Sequence, residues 1–370
     1  MQKYSSGHAE PANPVLISTV VKWSKAPVLI SLLALPACGG GSSSPSGPSD
    51  GPTPAPGYGV SGIVFYDENA NGVLDASEHV RLPGATITVG GRSGQAADEG
   101  RFTVSGVPAG SQSAQADPGG LPPYFAPGQP VSVGVPPQAG QEIAVPAVLE
   151  IGGNRANHYL AFGDSITRGV GGLEGGYTRY LRADLRSHWG AATIAEAGEP
   201  GTKSYQGEGR LPGELAFQRP AFTLILYGTN DWNVARCRND FECETIDALR
   251  SMIHKARDAG SNPVLGTIPP ANPAWVDRGA TERNIWVSQM NDLLRTMARE
   301  ENVPIAEIHG DFMEQPSLRD LFSDHVHPND AGYRLIASSW RNAITSPRSA
   351  SGAAAGVGGG WFGFASSGAQ

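Results

Sequence analysis

The chain has 370 residues and a formal net charge of −8, and no basic cluster occurs along it, which argues against a nucleic-acid surface. Glycine (49) and proline (30) exceed a fifth of the residues and are clustered, so they mark linkers as well as turns. The length suits two modest domains, and three cysteines, Cys38, Cys237 and Cys243, are too few for a disulfide-held scaffold.

Residues 1–37 read as a targeting segment. Lys22 and Lys25 precede the apolar run APVLISLLALPA, which is short for a bilayer span but suits the apolar region of a signal peptide. Cys38 follows at once. The sequence LPAC resembles the lipobox of bacterial lipoproteins. That resemblance implies lipidation of Cys38 and an exported, cell-envelope protein (outer membrane, cell surface or periplasm) held at a membrane by acyl chains. Ordinary secretion with a nearby cleavage site is the alternative. The polar stretch 1–19 is long for a signal peptide, which places the translation start nearer Val20 or Val21. Residues 38–59 continue as a Gly/Ser/Pro-rich tether with almost no apolar side chains to bury.

Between residues 60 and 151, short runs such as SGIVFY, ATITVG, GRFTVSGV, QPVSVGV and EIAVPAVLEI alternate with Gly, Pro and Asp turns. This spacing predicts a small all-β sandwich. Within it, DENANGVLDASE places Asp67, Asn69, Asn71, Val73, Asp75 and Glu78 at the ligand positions of a twelve-residue calcium loop, with Gly72 at the sharp turn. Turn preference alone would also select such residues. The loop and its flanks, VFYDENANGVLDASE and RLPGATITV, resemble the SD-repeat B-type modules of bacterial surface proteins. That likeness implies an Ig-like, calcium-binding spacer.

Residues 152–346 alternate strand-like stretches (HYLAF, ATIAEAG, FTLILYG, PVLGTIP, PIAEIHG) with amphipathic ones, among them residues 245–258 and 281–300. Repeated β-then-α order predicts an α/β domain, a parallel sheet with helices on both faces. A last helix should follow Pro328, with Tyr333, Leu335, Ile336 and Trp340 on or near one face. The Gly/Ala/Ser-rich tail, 347–370, is expected to be disordered.

Four islands in this segment carry chemistry. AFGDSITRG places Ser165 just after a strand, where open α/β sheets bind their ligands. Asp164 and Ser165 there would equally suit a helix N-cap. Gly198 with Gly201 follows the second strand, Gly228-Thr229-Asn230-Asp231 the third, and Asp324-His325-Val326-His327-Pro328 comes near the end. A serine hydroxyl is a poor nucleophile without an adjacent base, and an acid close in sequence to a histidine can orient that base from one loop.

In order and wording these islands resemble the SGNH, or GDSL-type, esterases and lipases. The resemblance covers about half the chain. It implies a flavodoxin-like three-layer αβα fold and a catalytic set of Ser165, Asp324 and His327, His325 being a loop or pocket residue. It also implies oxyanion donors from the Ser165 amide, the Gly198 amide and the Asn230 side chain, and catalysis without a cofactor. The chain departs from the pattern at Ile166, where the family has leucine, and at Glu196, where many members carry asparagine.

Cys237 and Cys243 lie six residues apart just after the GTND island. In an exported protein the simplest reading is a local disulfide, two unrelated thiols being the alternative. Trp232, Pro269-Pro270 and Trp275 could line an acyl or sugar pocket or serve as ordinary packing. The expected activity is hydrolysis of carboxylic esters, acetyl or short-chain, on small molecules, polysaccharides or lipids. Nothing in the sequence calls for an obligate protein partner. The competing reading is a surface-binding protein on a hydrolase fold, with lysophospholipase or lipase activity the nearest catalytic rival.

Overall fold

A computed structural model describes residues 57–347. The targeting segment, Cys38, most of the tether and the tail from residue 348 lie outside the described residues.

Eight strands form the N-terminal part: β1 (Tyr58–Tyr66), β2 (Thr86–Val89), β3 (Arg92–Gln95), β4 (Arg101–Val107), β5 (Gly110–Ala116), β6 (Ala126–Pro127), β7 (Val131–Val135) and β8 (Glu142–Val148). They make two four-stranded sheets, ordered β4-β1-β8-β6 and β3-β2-β5-β7. Pairing is antiparallel except between β1 and β8. Period-two alternation turns Ile87, Val89, Phe102 and Val104 inward and leaves Arg101 and Thr103 in solvent.

The C-terminal part runs β9 (Arg155–Gly163), α1 (Ser165–Arg168), α2 (Tyr177–Trp189), β10 (Thr193–Gly198), α3 (Ser204–Gln218), β11 (Pro220–Leu226), α4 (Ala235–Asp240), α5 (Thr245–Asp258), β12 (Asn262–Gly266), α6 (Ala280–Glu300), β13 (Ile305–Ala306), α7 (Ile308–Met313) and α8 (Asp330–Thr345). The five strands are parallel in the order β10-β9-β11-β12-β13. Successive residues of β9 serve opposite faces. Tyr159 and Ala161 share a core with Leu181, Leu185, Ile336 and Trp340 of α2 and α8. Leu160 and Phe162 share another with Leu211, Leu249, Met252 and Trp286 of α3, α5 and α6. Helices on both faces bury β11 along its whole length, which is why PAFTLIL reads as an unbroken apolar run.

The β-rich part packs against this domain, and one core cluster runs through both. Phe125 meets Trp189 edge-on at 5.6 Å, and Tyr124 meets Phe222 at 6.2 Å. The Arg81 amide donates to the Trp189 carbonyl at 3.0 Å, the Tyr124 hydroxyl donates to the Pro263 carbonyl, and the Asn157 side chain donates to Glu68. Asn157, Phe222 and Pro263 lie near the N-terminal ends of their strands, so this contact is at the opposite end of the strands from Ser165. A segment expected to act as a spacer therefore shares its core with the domain it precedes.

Candidate active site

At Gly163 strand β9 ends and the chain turns directly into α1. Asp164 caps that turn, its carboxylate accepting the Ile166 amide at 2.9 Å. Ser165 is thereby the first helical residue, at the C-terminal end of the strand flanked by β10 and β11, where the strand order reverses. It is 6% exposed. His327, 162 residues later, places Nε2 2.9 Å from Ser165 Oγ. Its Nδ1 lies 2.7 Å from Asp324 Oδ2. Asp324 Oδ1 accepts the amides of Val326 at 2.9 Å and His327 at 2.7 Å. Burial alone would raise the Asp324 carboxyl, but the bonds from the His327 ring and the two amides outweigh it and hold the group below the usual carboxylate range. An imidazole facing an ionised acid on one side and a hydroxyl on the other can take the hydroxyl proton and be stabilised once charged.

Several contacts fix the histidine loop against the serine turn. The Asn272 side chain donates to the Asp324 carbonyl at 3.1 Å, and the Asn272 amide donates to the His325 carbonyl at 2.9 Å. Asn329 caps α8 by accepting the amides of Ala331 and Gly332. The Tyr333 hydroxyl donates to the Val170 carbonyl at 2.7 Å, which joins α8 to the segment after α1.

Residues 161–335 match the profile of the GDSL-like lipase/acylhydrolase family. That segment is a GDSL-like lipase/acylhydrolase domain. The chain is a carboxylic ester hydrolase. Among solved structures it is similar to a lipase/acylhydrolase from Enterococcus faecalis, at 22% identity over 52% of this chain and 100% of that one, with a TM-score of 0.43. It is also similar to Axe2, an acetylxylan esterase from Geobacillus stearothermophilus, at 19% identity over 53% of this chain and 97% of that one, with a TM-score of 0.44. A search of curated proteins found no match.

In the hydrolase domain the remaining expected donors fall as follows. Asn230 comes beside the serine turn, its side-chain amide donating to Thr202 O at 3.0 Å and, more loosely, to Asp164 Oδ2 at 3.2 Å. Gly198 also lies against that turn, since a Cβ there would come within 2.2 Å of the Arg168 nitrogen. Its amide, however, donates to Glu196 Oε1 at 2.8 Å, while Glu196 Oε2 pairs with Arg168 at 3.2 Å. The Gly198 N–H is thus engaged by the residue that replaces the family's asparagine, as the Asn230 side-chain amide is by Thr202 and Asp164. Gly201, with φ at +79°, has an amide that donates to no protein acceptor among the described residues, and it adjoins Thr202, which orients Asn230. Spacing alone could not separate the two glycines. Sequence reading also passed over Arg210, whose guanidinium donates to the carbonyls of Gly163 (3.2 Å) and Ala197 (2.8 Å) and to the Tyr227 hydroxyl (2.9 Å). It thus ties together the C-terminal ends of β9, β10 and β11.

Behind the serine lies a buried charged group. Asp164 and Asp231 are 1% and 3% exposed, and Arg283 is 6% exposed. Burial, ahead of the Asp231 charge, pushes the Asp164 carboxyl up to about 7 despite the Ile166 amide and Arg283. Burial likewise raises Asp231, which accepts Ser204 Oγ at 2.7 Å, and lowers Arg283 to about 10. Arg283 donates to the Thr229 carbonyl and so holds the GTND turn. His325 lies next to Trp275, ring centres 6.1 Å apart, and burial lowers its pKa.

Cys237 and Cys243 are disulfide-bonded, with Cα atoms 4.5 Å apart. In the 67–78 loop, Asp67 accepts the amides of Asn71 and Gly72, Glu78 accepts those of Glu68 and Asp75, and Asp75 accepts the side chains of Asn69 and Asn71. Val73 donates its amide to Asn71. Among the described residues no group of three or more carboxylate, imidazole or thiol side chains is gathered as a metal site. Among the same residues no helix is long and apolar enough to cross a membrane.

Proposed function

We propose that the hydrolase cleaves acetyl or other short-chain esters through an acyl-enzyme on Ser165. Its main support is the unbroken line from Ser165 Oγ through the His327 ring to Asp324. His327 Nε2 takes the serine proton as Oγ bonds to the ester carbon, giving a tetrahedral oxyanion. The Ser165 amide, a glycine amide of the 198–201 turn and the Asn230 side chain then stabilise that charge, each donor contributing on the order of 3 kcal/mol. The alcohol leaves with the proton held by His327. Water, deprotonated by His327, next attacks the acyl carbon and releases the acid and Ser165. Asp164, Thr202 and Asn230, which are hydrogen-bonded together beside the serine turn, are small or polar, so a long acyl chain gains little apolar burial against them. Hydrolysis of p-nitrophenyl acetate, butyrate and octanoate by the wild type and Ser165→Ala tests this. Turnover should fall with chain length and drop by roughly 10⁴-fold or more in the variant. Activity retained by the variant, or rising toward octanoate, would reject the reading.

We also propose that Asp67, Asn69, Asn71, Val73, Asp75 and Glu78 bind a structural calcium ion. Asp67 and Glu78 are 3% and 2% exposed, and no cationic side chain pairs with either among the described residues. A divalent ion would offset that buried charge. Export and anchoring through Cys38 rest on the LPAC sequence, and metabolic labelling with a fatty acid, lost in Cys38→Ala, tests them.

A further inference from the structure

A cavity of about 600 Å³ opens where the disulfide loop meets α6. That volume suits a small ligand. Its wall rests on buried aromatic rings: Trp232 meets Trp286 edge-on at 5.9 Å, and the exposed Phe241 stacks against Trp286 at 6.2 Å. The Trp286 ring nitrogen donates to the Cys237 carbonyl at 3.1 Å, so the disulfide loop and α6 hold one another in place. Two guanidinium groups, Arg238 and Arg278, enter the same cavity. Arg238 lies over the Trp232 ring at 5.6 Å. Neither arginine is paired with an acid among the described residues, although the chain as a whole is acidic. Glu282, Asn239 and Gln289 supply uncommitted polar ends around them.

Two chain connections link the lining of this cavity to residues of the catalytic site. Trp232 is two residues beyond Asn230, in the short turn that begins there. The amide of Arg278 donates to the Trp275 carbonyl at 3.0 Å, and Trp275 lies against His325, whose ring is 6.5 Å from that of His327.

We infer that this cavity is a subsite for the alcohol side of the ester and that its occupant is a sugar ring carrying a carboxylate. Phe241, exposed and backed by the buried Trp286, offers a pyranose one flat apolar face. Arginine forks match a carboxylate with two parallel hydrogen bonds. Glu282, Asn239 and Gln289 can exchange hydrogen bonds with hydroxyls. The link to turnover rests on the esterase reading above, whereas binding does not depend on it.

The test uses the full chain. Affinity for 4-O-methylglucuronosyl xylotriose is compared with that for xylotetraose by calorimetry, in the wild type and in Arg238→Gln/Arg278→Gln. Hydrolysis of p-nitrophenyl acetate and of acetylated acidic and neutral xylo-oligosaccharides is followed in parallel. The wild type should bind the acidic sugar about tenfold or more tightly than the neutral one, and the double variant should bring the ratio close to one. The variant should raise KM for the acidic ester about tenfold with kcat and p-nitrophenyl acetate turnover unchanged. Equal affinity for the two sugars in the wild type, or selectivity retained by the variant, would overturn the inference. Loss of p-nitrophenyl acetate turnover in the variant would also overturn it, because the arginines would then be supporting the catalytic loop. Selective binding without turnover on any ester would uphold the subsite and sink the esterase mechanism, which separates the two failures.

Discussion

At Asp164 one carboxyl serves two roles: it caps α1 through the Ile166 amide, as the sequence allowed, and it also receives the Asn230 side chain beside the nucleophile. Burial, the leading cause, raises this carboxyl to about 7 in the folded chain, whereas an unfolded aspartate ionises near 4. Between those values the native state holds a proton that the unfolded state has released. The contribution of Asp164 to stability is therefore complete below about pH 4 and is lost as pH rises through 7. Asp164→Asn should flatten the pH dependence over this window, and at about 1.4 kcal/mol per pH unit the wild type should lose a few kcal/mol more than the variant between pH 4 and pH 8. Urea melts at pH 4.5, 6 and 8 measure it, and parallel curves for the two proteins would refute the assignment. Ser165, Asp324 and His327 were legible through the family resemblance carried by GDSI and DHVHP, and folding brings the three within hydrogen-bond reach. The choice between Gly198 and Gly201 was not, because it depends on where Glu196 directs its carboxylate.

At the scale of elements, the central strand β11 was legible because a strand buried on both faces must be apolar throughout, whereas the edge strands β10 and β13 were legible mainly from the repeated β-then-α order. Strands β3 and β5 were not. Their sequences, RSGQ and GSQSAQA, are small and polar, and on β5 only Ala114 and Ala116 are fully buried. Arg210 was missed for a related reason, since a single charged side chain on a helix gives no sign that it reaches three strand ends. The loop between Cys237 and Cys243 is short, so the disulfide removes a modest amount of unfolded-state entropy. Cys237→Ser/Cys243→Ser should cost about 2 kcal/mol in unfolding free energy. Denaturant melts under oxidising conditions check this, and an unchanged midpoint would mean that the bridge does not restrain the chain in solution.

Across the whole molecule, the contact between the β-rich part and the catalytic domain was invisible in the sequence. Tyr124 and Pro263, or Phe125 and Trp189, meet only after both parts have folded. Because one core cluster runs through both, thermal unfolding should occur in a single transition that coincides with loss of ester hydrolysis. If the 67–78 loop binds calcium, millimolar calcium should raise that one midpoint and a chelator should reverse the shift, because a ligand of the folded state stabilises everything that unfolds with it. Two separate transitions, or a midpoint indifferent to calcium, would contradict these expectations in turn. Folding on this scale is also what brings Ser165 to His327 across 162 residues of chain. The most direct measurement of that encounter is the intact mass of the protein after exposure to diethyl p-nitrophenyl phosphate, followed by peptide mapping. A single diethylphosphoryl adduct on Ser165, formed on the order of 10³-fold more slowly in His327→Ala, is the predicted result. An adduct on another residue, or an unchanged rate in His327→Ala, would contradict the mechanism.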